Sequence, residues 1–381
     1  MAWLTGSLGY IVPFLIVLTV LVFVHELGHY LAARRNGVKV EIFSIGFGPE
    51  LFGWTNRAGT RWKVSAVPLG GYIKMFGDVD AASAPSEAVA AMTPEERAVS
   101  FHHKRLLQRF EIVAAGPIAN FVFAMVVLAG LFMTIGQPMT PTDVGEVLPG
   151  SAAEKAGIKA HDVILAINGD KIERFEDIQQ IVGLNEGTPL RIEVRRGNQD
   201  LTLTATPVVQ EEKDIFGNVH HIGRLGISRK GLTTGTQFVR RDPASAIWRS
   251  VSETWNLSMG TLTAVGQMVT GARNTDELGG PIRIAQMSGK VAQGGPSSLI
   301  WFMAVLSINL GLINLFPIPV LDGGHLLFYA AEAIRGRPLG QRAQEYGFRV
   351  GLALVLTLMV FATWNDLVHV GVFAFIKGLV T

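Results

Sequence analysis

The first 24 residues carry no charge, and they lead directly into His25-Glu26-Leu27-Gly28-His29. Residues four apart on a helix share one face, so both imidazoles can bind one metal ion. The intervening glutamate can take a proton from a metal-bound water. Ionisable groups are expensive inside an apolar helix, at about 2.5–3.5 kcal/mol for an Asp or a basic residue at the membrane centre. The pattern therefore predicts a metal site within a membrane-spanning helix, rather than a pair of ordinary core histidines.

The composition is that of a membrane protein. The 381 residues are 49% hydrophobic and only 17% charged, and the mean hydropathy is +0.33. Average soluble proteins are less apolar and more charged. The small net charge of +2 argues against nucleic-acid binding, and the absence of cysteine removes disulfides and thiolate ligands. Four apolar runs are long enough to cross a hydrocarbon core of about 30 Å, and they cover residues 8–33, 112–137, 298–316 and 350–375.

Basic residues near the ends of these runs predict the orientation in the membrane. They are Arg34, Arg35, Lys39, Lys104, Arg105 and Arg109 around the first loop, and Arg335, Arg337, Arg342 and Arg349 in the last loop. We therefore expect both loops in the cytoplasm. The N-terminus, the C-terminus and the long segment 138–297 are then expected on the outer side.

The loop after the first run has the pattern of a small sheet. Residues 40–45 and 61–67 alternate apolar and polar side chains, and glycines interrupt them. We expect strands that pack beside the helices and dip toward the membrane. Residues 78–97 are rich in Ala, Ser, Pro and Glu and are expected to form a flexible cytoplasmic loop.

Residues 143–208 have the pattern of a separate α+β module. The predicted order is strand, helix, strand, helix and hairpin, with a helix over 175–184 and strands at 190–194 and 201–204. The stretch P-G-S-A-A-x-x-A-G-I-x-x-x-D-x-I-x-x-I-N-G at 149–169 resembles the bacterial, circularly permuted PDZ domain. A further hairpin is expected near residues 216–218. Residues 244–274 have apolar residues at helical spacing, which fits either an amphipathic helix on the outer membrane surface or an ordinary packed helix.

Two histidines and a water leave a tetrahedral zinc one protein ligand short. The segment 314–325 offers candidates, because Pro317 and Pro319 interrupt a helix and Asp322 ends a long uncharged run. An acidic group at that depth needs a counter-ion, which a divalent metal would supply. His325 is chemically as suitable, and Asp366 in the last apolar run is another buried acid. The residue types alone leave this choice open.

Taken together, these motifs make the whole chain resemble the site-2 protease family of intramembrane zinc metalloproteases, most closely the bacterial regulator-of-sigma-E protease type. The matching motifs are H-E-x-G-H at 25–29, G-F-G-P at 46–49, P-L-G-G-Y-I-K-M at 68–75, A-G-P at 115–117 with Asn120, G-P at 280–281, N-x-x-P-x-P-x-L-D-G at 314–323 and N-D at 365–366. The paired H-E-x-x-H and L-D-G motifs are far more specific together than either is alone.

The resemblance implies a role for each site residue. His25, His29 and Asp322 would be the zinc ligands, which decides between Asp322 and His325, and Glu26 would be the general base. Asn314 would line the substrate cleft. The edge formed by Gly46, Phe47 and Gly48 would pair with an unwound substrate strand. Enterobacterial members carry two tandem PDZ domains, whereas this chain has the pattern of one.

These observations predict an α-helical polytopic membrane protein with four transmembrane helices, a small membrane-associated β region and an inserted α+β PDZ domain. The predicted protein is an intramembrane zinc endopeptidase of the bacterial inner membrane, with the termini and the PDZ domain in the periplasm. Its expected partners are the lipid bilayer, a C-terminal peptide at the PDZ domain, and single-pass substrates such as anti-sigma factors or remnant signal peptides. The expected regions are 1–33, 34–111, 112–137, 138–225 (PDZ with flanking hairpin), 226–297 (amphipathic helical region), 298–334, 335–349 and 350–381.

Two other functions fit parts of the pattern. A metal transporter or channel would carry further His, Asp or Glu residues along other spans, and only Asp366 and His369 are candidates. A non-catalytic PDZ scaffold would be expected to have lost Glu26, which is present. Both alternatives are therefore less consistent with the sequence than a protease.

Overall fold

The computed structural model describes residues 2–78, 92–213, 219–230, 232, 237–271 and 279–369. It divides into two compact units. The first comprises Met1–Leu128 with Leu278–Thr381, and the second comprises Ala129–Glu277. The first unit contains the motifs predicted to bind metal, and the second contains the predicted α+β module.

The elements are numbered in chain order. The helices are α1 (Ala2–Arg35), α2 (Pro94–Val99), α3 (Leu106–Thr134), α4 (Ala152–Lys155), α5 (Phe175–Leu184), α6 (Pro243–Val269), α7 (Pro281–Gln293), α8 (Pro296–Leu315), α9 (Asp322–Arg335) and α10 (Gln341–His369). The strands are β1 (Val40–Thr55), β2 (Arg61–Met75), β3 (Gln137–Met139), β4 (Glu146–Val147), β5 (Val163–Ile167), β6 (Asp170–Lys171), β7 (Leu190–Arg196), β8 (Gln199–Ala205), β9 (Val208–Lys213), β10 (Val219–Arg224), β11 (Ile227–Ser228) and β12 (Gln237–Val239).

Four helices are long and apolar enough to cross a membrane, as the four apolar runs predict. The qualifying stretches within the described residues are Gly9–Arg35, Leu106–Thr134, Pro296–Leu315 and Arg342–Val368. The predicted third region, 298–334, is two helices, because the chain leaves helical geometry after Leu315 and resumes it at Asp322. The predicted loop 335–349 is shorter, since α10 begins at Gln341. Residues 370–381 of the expected last span lie outside the described residues.

The β region is larger than the sequence pattern predicts. Strands β1 and β2 run well past residues 45 and 67, and each of residues 42–45 has two partners in β2. Phe43 is fully buried and stacks on Trp62 at 4.1 Å between ring centroids, while Tyr30 of α1 meets it edge-on at 5.8 Å. These aromatic contacts fasten the sheet to α1.

The loop predicted over 78–97 is helical in part. Residues 79–91 lie outside the described residues, but α2 follows them. Thr93 and Glu96 form a capping box at its start, and Pro94 occupies the first helical turn. The sequence Thr-Pro-Glu-Glu is a helix-start signal that the composition of the segment concealed.

The second unit contains an α+β module with its own core. One sheet has the order β6-β5-β7-β8, and β4 pairs with β11. The buried core includes Ile164, Ile167, Leu190 and Ile192, against which the apolar face of α5 packs. Helix α5 has the predicted bounds, and β9 pairs with β10 as the expected hairpin, although residues 214–218 lie outside the described residues. Since β11 pairs with β4, the module extends to Ser228, beyond the expected boundary at 225.

Helix α6 is amphipathic, but it buries polar residues and exposes apolar ones. Arg174 of the module donates to Glu253 at 2.8 Å, and the two side chains are each 11% exposed. Burial raises the pKa of the Glu253 carboxyl, and the Arg174 guanidinium opposes that rise. The outward face carries an apolar stripe that consists of Ile247, Trp248, Val251, Trp255, Met259 and Leu262.

Candidate metal centre

Helix α1 supplies two of the three groups that converge on one point. His25 and His29 lie one turn apart on the same face, with their Nε2 atoms 3.2 Å apart. Their side chains are 12% and 10% exposed. The two side chains point in the same direction because the helix is continuous through both residues.

Asp322 supplies the third group from the first residue of α9. Its Oδ2 lies 3.1 Å from His25 Nε2 and 3.3 Å from His29 Nε2. The turn that leads to it passes through Val320, whose φ is +101°. A β-branched residue seldom adopts a positive φ, so the backbone is strained two residues before Asp322.

This donor set fits a zinc ion. Zinc bonds of about 2.0–2.2 Å in tetrahedral geometry place neighbouring ligand atoms about 3.3–3.4 Å apart. The three observed separations are close to this value. Asp322 Oδ2 is buried and accepts no hydrogen bond from the described residues, which is the state expected of an atom directed at a cation. Three protein ligands leave a fourth position for water, as in catalytic zinc sites.

The other nitrogen of each imidazole contacts α3. His29 Nδ1 lies 2.9 Å from the Ile112 carbonyl oxygen, and His25 Nδ1 lies 3.1 Å from the Asn120 amide. A carbonyl can only accept, so His29 donates through Nδ1 and keeps a lone pair on Nε2. Partners of this kind orient histidine ligands in metal sites.

Two glycines let α1 and α3 approach closely enough to form the site. A Cβ at Gly116 would lie 2.2 Å from His29 Nε2, and a Cβ at Gly28 would lie 2.3 Å from the Ala115 carbonyl oxygen. Any side chain at either position would push the helices apart. The sequence drew attention to both glycines within motifs but gave no reason for either.

Glu26 lies beside the ligands and against the second half of β2. The Ile73 backbone N–H faces its carboxylate. A Cβ at Gly71 would lie 3.2 Å from Glu26 Cγ, so the glycine keeps the strand close to the carboxylate. A group able to exchange protons is therefore adjacent both to the three converging side chains and to an extended segment of backbone.

The remaining predicted site residues lie elsewhere around this centre. Asn314 is half-buried in the last turn of α8. Gly46 and Gly48 have φ values of +89° and +86°, and the Phe47 ring between them stacks on Tyr72 at 5.9 Å. Among the described residues, the one cluster whose ligand atoms converge consists of His25, His29 and Asp322. The His325 ring packs against Phe348 instead, at 5.2 Å between centroids.

A His-His-Asp donor set with an adjacent glutamate, in a chain with four long apolar helices, is the arrangement expected of a membrane metalloprotease with a zinc cofactor. The chain belongs to peptidase family M50, the site-2 protease family, whose model matches residues 13–358. It is 50% identical to "Putative zinc metalloprotease Atu1380" of Agrobacterium fabrum over 95% of this chain and 97% of that protein. It is 46% identical to "Putative zinc metalloprotease R01501" of Rhizobium meliloti, over 96% and 99%. It is 42% identical to "Metalloprotease MmpA" of Caulobacter vibrioides, over 99% and 100%.

Proposed function

We propose that this metalloprotease cleaves peptide bonds within the membrane, using His25, His29 and Asp322 as zinc ligands and Glu26 as general base. The observation that carries the proposal is the convergence of three ligand atoms, 3.1–3.3 Å apart. Two come from α1, which is long and apolar enough to cross a membrane, and the third comes from α9, which follows the candidate span α8 after a short turn. A buried acid and two imidazoles at that depth are costly unless they bind a partner.

The reaction follows from the position of Glu26. His25, His29 and Asp322 would hold the zinc, which would supply Lewis-acid activation of the scissile carbonyl and of the attacking water. The Glu26 carboxylate accepts the proton from the attacking water and returns it to the leaving amide nitrogen. The Ile73 backbone N–H faces the same carboxylate.

The substrate must present extended backbone, since a helix offers no accessible peptide bond. The segment 71–74 of β2 pairs with β1 along one side and passes Glu26 along the other. Strand addition beside this segment would hold an unwound substrate next to the metal. Gly46, Phe47 and Gly48 form the adjoining bend of the sheet, and Asn314 would line the opposite side of the cleft.

We propose that the substrates are single-pass proteins, such as anti-sigma factors or remnant signal peptides, already trimmed on the outer side. The test is co-expression with a tagged anti-sigma factor cut back to its membrane stub. The stub should disappear with the wild-type enzyme and accumulate with Glu26→Gln. Equal disappearance with both enzymes would contradict the assignment of Glu26.

The proposed location is the bacterial inner membrane, with both termini and the second unit in the periplasm. The support is the basic residues that flank the apolar helices. A reporter fused after residue 90 should be active as a cytoplasmic fusion, and one at residue 215 as a periplasmic fusion. The opposite pattern would overturn the orientation. In the proposed orientation, the apolar stripe on α6 would lie in the outer membrane interface, where exposed tryptophans are favoured.

We propose that the α+β module is a PDZ domain that controls access to the site. A groove of about 250 Å³ lies between α5 and the chain around β11, lined by Phe175, Ile178, Val182, Leu225 and Ile227. Such a groove can capture a newly exposed C-terminus. A folded module can instead exclude untrimmed substrates by size.

Deletion of residues 143–228 separates the two roles of the module. Cleavage of an intact, untrimmed substrate by the deletion variant would support the size filter. Slower cleavage of the trimmed stub would support peptide capture. No change with either substrate would contradict both.

The alternative function of a metal transporter finds little support in the described residues. It called for further buried acids along the spans, and Asp366 is the strongest candidate. Its carboxylate accepts from the backbone N–H groups of Gly280, Ile282 and Arg283 at 2.8–3.1 Å, so it caps the start of α7. This structural use explains the buried acid without a metal pathway.

A further inference from the structure

Asn120 is a fully buried polar side chain in the apolar helix α3. It is the one side-chain amide between Ile112 and Thr134. Polar groups at membrane depth are seldom present without a function or a partner. Its amide lies 3.1 Å from Nδ1 of the proposed zinc ligand His25.

The position of the ring proton on His25 determines which end of the Asn120 amide faces Nδ1. A neutral imidazole that binds a metal through Nε2 carries its proton on Nδ1. An amide NH₂ cannot accept that proton, whereas an amide oxygen can. With Nδ2 nearest to His25, the Asn120 Oδ1 atom is buried without a hydrogen bond from the described residues. Because the two ends of an amide are nearly identical in shape, rotation by 180° brings Oδ1 to Nδ1–H with no other movement.

We propose that Asn120 is a positioning residue for the metal centre: its Oδ1 accepts a hydrogen bond from His25 Nδ1–H and so holds Nε2 free for zinc. This inference rests on the proposed assignment of His25 as a ligand. The two histidines are then oriented by the same helix in different ways. His29 uses the backbone carbonyl of Ile112, which no substitution removes, whereas His25 depends on a side chain.

The backbone of Asn120 is fixed as well. Ser307 of α8, which is itself fully buried, donates to the Asn120 carbonyl oxygen at 2.9 Å. This contact holds α3 at the level of the amide without using the amide. Ser307→Ala is therefore a matched control, since it removes a buried hydrogen bond at the same residue but leaves the His25 partner intact.

The first measurement uses the unaltered protein with zinc bound, because without metal the Asp322 Oδ2 atom, 3.1 Å from His25 Nε2, can draw the His25 proton to Nε2 whatever Asn120 does. Ring ¹⁵N–¹H spectra in detergent, with His25 assigned by substitution, show whether Nδ1 carries a proton and whether that proton is hydrogen-bonded. The proposal predicts a downfield Nδ1–H signal for His25 that moves upfield or exchanges away in Asn120→Leu. The same signal in the wild type and in Asn120→Leu, or no proton on Nδ1, would mean that the amide does not accept from His25, and the proposal would be wrong.

The second measurement is zinc affinity by chelator competition. Asn120→Leu removes the acceptor at similar volume and should weaken zinc binding about 10–100-fold. Asn120→Asp keeps an oxygen acceptor and should stay within a few-fold of the wild type, as should Ser307→Ala. Wild-type zinc affinity in Asn120→Leu, together with lost affinity in His25→Ala, would contradict the role of Asn120 and leave the proposed ligand set in place. Wild-type affinity in His25→Ala would instead overturn the proposed ligand set.

Discussion

Substitution of Gly116 by alanine tests how the helices form the metal centre. The added Cβ would lie 2.2 Å from His29 Nε2, 2.5 Å from Cε1 and 2.8 Å from Cδ2. Ordinary contact between such atoms begins at about 3.4 Å, so the ring must move by about 1.2 Å or the helices must separate by a similar distance. The His29 ring cannot move freely, because its Nδ1–H donates a hydrogen bond to the Ile112 carbonyl oxygen.

The expected loss concerns the metal rather than the fold. Overpacking of this size destabilises by about 1–3 kcal/mol, which a helical membrane unit can absorb. Metal–ligand distances tolerate only about 0.2 Å, so a displacement of about 1 Å would remove His29 from the proposed ligand set. We expect zinc affinity to fall at least about 100-fold, with peptide cleavage lost in parallel.

The control is the same substitution at Gly130, which lies further along α3. A Cβ at Gly130 would have no described atom within 4 Å. Gly130→Ala should therefore keep full zinc binding, and it gains the helix preference of alanine over glycine, about 0.8–1.0 kcal/mol. The assay is zinc content and chelator competition on both purified variants, with circular dichroism to confirm helix content. Wild-type zinc affinity in Gly116→Ala would refute the account of how α1 and α3 meet.

Three further predictions concern individual carboxylates. Glu26→Gln should keep zinc but lose at least about 100-fold in cleavage rate, because a carboxamide cannot accept the proton of water; substantial residual cleavage would contradict its role. Asp322→Ala should lose zinc and His325→Ala should keep it by metal analysis, and the reverse would exchange their roles. Asp162 is fully buried in the module. Although burial alone would raise its pKa, the Arg196 guanidinium at 2.7 Å holds the pKa below its usual range. The stabilisation that the ionised Asp162 carboxylate gives to the folded module is therefore complete above the ordinary carboxyl pKa. It is lost as the pH falls through the lowered pKa of Asp162. Asp162→Asn should lower the free energy of unfolding by about 1.5–3 kcal/mol at neutral pH. Hydrogen exchange of the β5 and β7 amides should show a difference that shrinks as the pH falls below the ordinary carboxyl pKa; a difference that is independent of pH would show that the charge is irrelevant.

The parts of the fold that the sequence predicts are those set by local periodicity. Helix α5 has the predicted bounds because its apolar residues repeat at helical spacing and pack on one core. The start of helix α7 depends instead on a distant residue, because the carboxylate that caps it lies on Asp366, more than 80 positions away. The pairing of β11 with β4 is equally non-local. Neither contact leaves a signal in its own segment.

The same distinction holds within the metal centre. The spacing of His25 and His29 predicts a shared ligand face, because four residues make one helical turn. The choice of Asp322 over His325 needed the family resemblance, since it depends on where the chain resumes a helix after two prolines. The contacts of Gly116 and Asn120 arise only when α3 lies against α1. Both residues stand in a motif that resembles the family, and Asn120 is also the lone amide of its apolar span. Neither signal indicates which atoms of α1 they contact.

The central claim is that this metalloprotease cuts within the membrane, and mapping the cleaved bond tests it most directly. Purified enzyme and a trimmed single-pass substrate would be combined in lipid vesicles, and the products would be sequenced by mass spectrometry. We predict one cut or a few adjacent cuts inside the substrate's apolar span, absent with Glu26→Gln and restored when zinc is returned to the metal-depleted wild-type enzyme. Cuts confined to the soluble flanks, or cuts that persist in Glu26→Gln, would contradict the account.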